Sequence, residues 1–209
     1  VDLLIWLGQK AFMALKRAPF PVVAAPSGLA LGGGCEVVLH ADAVQAHAET
    51  YAGLVETAVG IVPAWGGCKE LLMRWDASPG RPGGPMVPVT KAFEMLSMAS
   101  VAKSADQARD FLILRPDDSI TMNRDRLLAD AKARALALVD GYAPPELGEI
   151  TLPGPSAKVA LEMAVNGFRK RGLATPHDEV VAGVLGGVLS GGATDVTETL
   201  GEDDLLALE

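Results

Sequence analysis

Ala24-Ala25-Pro26-Ser27-Gly28-Leu29-Ala30-Leu31-Gly32-Gly33-Gly34-Cys35-Glu36 runs from the end of an apolar strand, through a glycine run, to an acid. Val22-Val23-Ala24-Ala25, bracketed by Pro21 and Pro26, is short and continuously apolar, as expected of a central strand covered on both faces in a parallel sheet. The glycines then let the backbone take unusual dihedrals and approach another group closely. A helix predicted from about Gly34 to Ala41 starts there. Its N-terminus presents unpaired N–H groups and the positive end of a dipole, so the N–H of Gly33 can donate to an oxygen that becomes negative during a reaction. A side chain at such a turn would collide with a substrate carbonyl lying on the main chain. Glu36 stands one turn further in.

Glu56 follows twenty residues after Glu36, with Leu54, Val55, Ala58 and Val59 as apolar neighbours. Apolar surroundings raise a carboxyl pKa and favour proton donation. Two carboxyls meeting on one substrate can divide acid and base roles when their environments hold one protonated and the other ionised. Taken singly, the glycine run is a turn, Glu36 a solvated helix acid and Glu56 a surface acid or cap. The spacing leaves open whether the two acids converge.

Working outward, Leu4, Leu7, Ala11 and Leu15 recur at helical steps and predict the buried stripe of an amphipathic helix over Leu3–Leu15. Short strands are expected near 43–46 and 50–51, and a helix over 67–75. Asp76 to Pro88 holds Pro79, Pro82, Pro85 and Pro88 and reads as a loop or insertion. A helix is expected over Val89–Met98, with Met95, Leu96 and Met98 in the core. Ser104 and Gln107 form a capping-box signature, and Leu112-Ile113-Leu114 reads as a last short strand. From Asn123 the pattern is helical: Arg126–Val139, Ser156–Arg171 and a helix entered through Thr175-Pro176. The expected organisation is therefore a core over 1–122 and an all-helical region over 123–209. Val1 in place of a starting methionine, and a helix just opening at Asp204-Leu205-Leu206, read as an excerpt from a longer protein.

With 18 basic and 26 acidic side chains the net charge is −8, which disfavours nucleic acid as a partner. Cys35 and Cys68 are too few for a disulfide framework and lack the companions of a zinc site, so no metal is expected and buried thiols in a reducing cytoplasm are the default. No apolar run reaches the roughly 20 residues that cross a bilayer. His40 and His47 read as structural. Arg169-Lys170-Arg171 is a solvated helix end, with contact to the phosphates of a ligand as the alternative.

The opening segment resembles the thioester-binding segment of the crotonase (enoyl-CoA hydratase/isomerase) superfamily. So does Tyr51-Ala52-Gly53-Leu54-Val55-Glu56 followed by Gly60-Ile61-Val62-Pro63-Ala64-Trp65-Gly66-Gly67, in the family order and spacing. His47-Ala48-Glu49-Thr50-Tyr51, Arg115-Pro116-Asp117-Asp118 and Thr121-Met122-Asn123-Arg124 are similar to the hydratase portion of bacterial fused 3-hydroxyacyl-CoA dehydrogenase/enoyl-CoA hydratase proteins of fatty-acid β-oxidation. The resemblance implies an α/β spiral core of ClpP/crotonase type lacking its first strands, with a helical C-terminal region that mediates trimer formation. It also implies that the Gly33 N–H binds the thioester oxygen, that Glu36 and Glu56 hold a water between them, and that Ala30, Leu31, Gly32, Gly34, Trp65 and Gly66 line the substrate. The implied reaction is hydration of a trans-2-enoyl-CoA to a 3-hydroxyacyl-CoA, with no cofactor in this segment and NAD expected only in an upstream dehydrogenase domain.

In the family the second oxyanion donor comes from upstream strands that have no counterpart here, so the segment alone is expected to be a poor catalyst. Trp65 stands where small residues are usual, and Cys68 where a Thr often starts the helix. The competing readings are an enoyl-CoA isomerase of the same fold, which commonly lacks one of the two acids, and a non-catalytic acyl-CoA-binding or assembly module.

Overall fold

The computed structural model describes residues 1–79 and 83–209. Pro82 of the expected Pro/Gly loop lies outside them. In chain order the elements are α1 (Asp2–Lys16), β1 (Val23–Ala24), β2 (Leu29–Leu31), α2 (Gly33–Leu39), β3 (Ala43–His47), β4 (Tyr51–Gly53), α3 (Gly67–Ala77), α4 (Met86–Ser97), α5 (Ala105–Asp110), β5 (Ser119–Thr121), α6 (Leu127–Ala137), β6 (Glu149–Thr151), α7 (Pro155–Lys170), α8 (Pro176–Ser190), β7 (Thr199–Gly201) and α9 (Glu202–Leu208). Short 3-10 turns cover Glu56–Val59 and Arg124–Arg126. The chain packs as two compact units, Val1–Leu54 with Val101–Glu146, and Val55–Ser100 with Leu147–Glu209.

In the first unit the strands climb as a spiral. β3 returns parallel to β1 (Val23 opposite Ala43) and β4 parallel to β2 (Leu29 opposite Tyr51), and β5 joins the far edge of β3 (Gln45 opposite Ser119). Parallel neighbours need a crossover, and α2 supplies it. β3, not β1, is the central strand of the described sheet and is buried throughout, whereas β1 is half-buried at an edge. The apolar run at 22–25 marks a covered strand but carries no information about strand order. β3 can bury polar residues because they are paired: Gln45 Nε2 donates to Thr121 Oγ1 at 2.8 Å, which donates to Asp130 Oδ2 at 2.9 Å.

Arg115 and Asp118 tie the end of α2 to the sheet. Asp118 accepts from the N–H of Val44 at 2.7 Å and of Arg115 at 2.6 Å, while Arg115 Nη1 donates to the carbonyls of Ala41 and Asp42. Tyr142 closes the same corner by donating to Asp42 Oδ2 at 3.0 Å. Burial and that carboxylate push its hydroxyl up to about 12.

Two expectations change here. α1 buries Met13, with Ile5 and Phe12 half-buried, while Leu4 and Leu7 are 63% and 50% exposed. Leu3 to Leu7 are all apolar, so the period could not select a face. Leu112-Ile113-Leu114 is no strand: Leu112 has φ 54°, and the N–H groups of Ile113 and Leu114 both donate to the Ala108 carbonyl, folding the run back on α5. The capping signature is half met, since Ser104 Oγ accepts from the Gln107 N–H but the Gln107 side chain accepts from Lys103 instead.

In the second unit α7 and α8 pack together, with Leu161, Leu185, Leu189 and Phe93 of α4 among the buried residues. The region after 123 is not all helical, because β6 and β7 pair antiparallel, Ile150 opposite Leu200. These strands are too short for a two-residue period to show. α4 begins at Met86 within the expected loop, since Pro88 falls in the first turn, where its missing N–H costs nothing. Met98 lies beyond the end of α4 and is 79% exposed, while Leu96 is buried.

Lys69 is an ion centre that the sequence analysis does not single out. Its side chain is fully buried, and its amine donates to Glu70 and, at 2.8 Å, to Glu202 Oε2, whose other oxygen accepts from the Gly148 N–H. The Glu209 carboxylate caps the same helix, accepting from Gly66 at 2.6 Å and Lys69 at 2.7 Å. Burial alone would lower the Lys69 amine, but the carboxylates of Glu70 and Glu202 outweigh it and hold it above the ordinary lysine value. A raised amine contributes stability that is complete below pH 10.5 and lost as pH rises through the folded-state value. Lys69→Met removes the cation that faces two buried carboxylates, and at neutral pH it should lower unfolding free energy by about 3–5 kcal/mol. Urea titration of the two chains measures this, and equal midpoints would mean that the ion cluster contributes nothing.

Candidate active site

The glycine run performs the turn from β2 into α2. Gly32 has φ 55° and ψ −128°, a conformation that L side chains rarely adopt, and its N–H donates to the Gly53 carbonyl at 2.9 Å. α2 opens at Gly33, one residue earlier than predicted. The Gly32 carbonyl accepts from Cys35 and Glu36, so the helix itself gives the N–H groups of Gly33 and Gly34 no acceptor. A side chain at Gly34 would meet no atom within 4 Å. Ala30 is buried and Leu31 half-buried on β2, immediately before this turn.

Glu36 lies in the first turn of α2 and is 2% exposed. Its carbonyl faces His40 Nδ1 at 2.7 Å, and the His40 ring tilts against Phe12 of α1 with centroids 5.6 Å apart. Both imidazoles have structural places, as His47 Nδ1 accepts from the Glu49 N–H. Cys35 is fully buried beside Glu36 in sequence, and Cys68 is fully buried with its thiol directed at the Pro63 carbonyl.

Ala30, Leu31, Gly32, Gly33, Gly34 and Glu36 thus gather at one strand–helix junction of the first unit. Glu56, Trp65 and Gly66 belong to the second. Glu56 opens the 3-10 turn that follows β4. Its Oε2 is buried and has no hydrogen-bond partner. Burial raises the carboxyl above its ordinary value, against the pull of the main-chain groups of Glu56 and Val55. Trp65 is half-buried, and Gly66, at φ 103°, precedes α3 as its N-cap.

Sequence reasoning missed Lys69 and its acidic partners. The one available hint was helical spacing, because Lys69 shares a face with Leu72 and Met73, three and four residues on. Among the described residues no group of His, Cys, Asp and Glu is arranged to hold a metal, and no helix is long and apolar enough to cross a membrane.

A parallel spiral that turns on glycine into a buried acid places the chain in the crotonase class of α/β folds. Comparison with known proteins agrees, residues 6–75 matching the enoyl-CoA hydratase/isomerase family. It is 39% identical over 210 residues to a Bacillus subtilis protein named "Probable 3-hydroxyacyl-CoA dehydrogenase", covering 100% of this chain and 26% of that protein. Over 71 residues it is 42% identical to a Rickettsia felis protein whose name marks it as a fatty acid oxidation complex trifunctional enzyme, covering 34% of this chain and 10% of that one. The chain therefore spans 26% and 10% of the lengths of these two relatives. The crystal structure of a Bacillus anthracis enoyl-CoA hydratase aligns with a TM-score of 0.52 at 22% identity, over 85% of this chain and 57% of that one, a likeness of fold.

A carboxyl raised by burial favours folding most when protonated. Its contribution is complete below the ordinary value of 4.5 and lost as pH rises through the folded-state value. Glu56→Gln should therefore raise the thermal midpoint at about pH 7 and have little effect near pH 4. Calorimetry at both pH values checks this, and a lower midpoint for the variant at neutral pH would contradict it.

Proposed function

We propose that this chain supplies the hydratase chemistry of a longer protein of fatty-acid β-oxidation, adding water across the double bond of a trans-2-enoyl-CoA to give a 3-hydroxyacyl-CoA. The observation that carries the reading is the Glu56 carboxyl, raised by burial and with one oxygen free to present a proton. The Gly33 N–H donates to the thioester oxygen and stabilises the enolate that forms as water attacks. Glu36 accepts a proton from the attacking water as its oxygen bonds to the β-carbon, and Glu56 delivers its own proton to the α-carbon. The addition is redox-neutral, so the chemistry asks for no electron acceptor.

Ala30, Leu31, Gly32, Gly34, Trp65 and Gly66 are the residues this reading assigns to substrate binding. The B. subtilis relative is named for an activity that consumes 3-hydroxyacyl-CoA, which suits a longer protein passing the hydrated product to an NAD-dependent dehydrogenase domain. Self-association through the helical C-terminal region fits the same reading, since α7 leaves Val159, Met163 and Phe168 exposed.

The test is crotonyl-CoA hydration, followed by loss of the enoyl-thioester absorbance, in a longer protein that carries this chain. Glu36→Gln and Glu56→Gln should each lower kcat about 10²- to 10⁴-fold while leaving CoA binding in place. A protein that binds CoA thioesters but never hydrates crotonyl-CoA would be an isomerase or a binding module, and the proposal would fall.

A further inference from the structure

The turn that carries Glu56 is four residues long, and it makes little of its own stability. Short 3-10 turns have poor hydrogen-bond geometry, and the main-chain bonds here are Ala58 N–H to Val55, Gly60 N–H to Thr57 and Ile61 N–H to Glu56. Its position is therefore set by what holds it from outside. One tie is the Thr57 hydroxyl, which donates to the Leu96 carbonyl of α4 at 2.5 Å. The other comes from the start of α8, where His177 Nε2 lies 3.2 Å from the Gly60 carbonyl, 117 residues away in sequence.

This second tie is close packing as well as a hydrogen bond. Gly60 closes the turn at φ 82°, and a Cβ placed on it would fall 2.7 Å from His177 Nε2 and 3.0 Å from Cδ2. Gly60 is thus favoured as glycine by its dihedral, and the imidazole of the exposed His177 lies directly against it. The ring is itself well placed, because α8 starts from a capping box in which Thr175 and Asp178 satisfy each other's N–H groups at 3.1 and 2.8 Å. A carbonyl only accepts, so Nε2 must carry the hydrogen. Both the Nε2–H neutral tautomer and the imidazolium satisfy that requirement, and the tie does not depend on which is present.

We propose that His177 is a positioning residue for Glu56, holding the 3-10 turn through the Gly60 carbonyl so that the half-buried side chain keeps its Oε2 out of water and unpartnered. The inference rests on the reading of Glu56 as the proton donor and deepens it by assigning the support of that donor to α8. His177 does not touch substrate in this scheme. It acts by keeping the acid at the end of a turn too short to hold itself.

Three substitutions separate the hydrogen bond from the packing. His177→Phe keeps a ring over Gly60 without a donor, His177→Gln keeps a donor without the ring, and His177→Ala removes both. In a longer protein carrying the chain, Phe and Ala should each lower kcat for crotonyl-CoA about tenfold with KM within about twofold, and Gln should restore most of it. In the 209-residue chain, ¹³C-glutamate NMR with the Glu56 signal assigned by its loss in Glu56→Gln should show the titration midpoint lower in Phe and Ala, and near that of the unsubstituted chain in Gln. An unchanged Glu56 midpoint in both Phe and Ala would overturn the proposal whether or not the protein hydrates enoyl-CoA. Undiminished turnover in Glu56→Gln would instead remove the catalytic reading and leave the tie to be decided by the titration.

Discussion

The parallel pairing of β2 with β4 is the constraint on which the candidate site depends. Leu31 and Gly53 are register partners, and the ladder continues one step further through the Gly32 N–H to the Gly53 carbonyl. Because the strands run the same way, the glycine turn and Leu54 leave the ladder at its same end. The short interval between strand end and acid then matters: Glu36 follows within the first turn of α2, and Glu56 opens the 3-10 turn that comes just after β4. An antiparallel pairing would have sent the two segments to opposite ends. Spiral topology is thus what brings the glycine turn and the end of β4 to one end of the ladder.

That explains why the site motifs could be read before the fold was seen. Gly32 must be glycine for its dihedral, Glu36 must be buried by the helix that the turn opens, and the same local geometry fixes their spacing. Features set by local backbone demands leave marks in sequence. Features set by what packs from elsewhere do not, and this is where the sequence reading went astray. α1 is apolar on too many sides for periodicity to name its buried face. Leu112-Ile113-Leu114 has the composition of a strand, yet its N–H groups are taken by the carbonyls of Arg109 and Ala108. The order β1-β3-β5 is decided by Asp118, Gln45 and Thr121 making a polar central strand tolerable, through partners more than seventy residues away.

Two ionisable groups of the second unit, the buried Lys69 and the half-buried Glu56, show the same physics with opposite outcomes. Lys69 is surrounded by carboxylates, and attraction overcomes the cost of desolvation, so the charge is kept. Glu56 has no cation among the influences on its carboxyl, and desolvation prevails, so the neutral form is favoured. The first is a structural arrangement that joins α3 to Glu202. The second has the character of a functional acid, since a group poised to release a proton is useful where it need not first escape an ion pair.

Keeping such an acid buried has a mechanical requirement. An unpaired carboxyl oxygen gains from moving toward water, and a four-residue turn closed by a left-handed glycine resists that movement only weakly. The Thr57 hydroxyl and the His177 ring act at its two ends on carbonyl groups, which are strong and directional acceptors. Both partners lie later in the chain, Leu96 on α4 39 residues beyond Thr57 and His177 on α8 117 residues beyond Gly60. The helical half of the second unit therefore contributes to the setting of Glu56, and the raised pKa of its carboxyl is a property of the packed unit rather than of its neighbours in sequence alone.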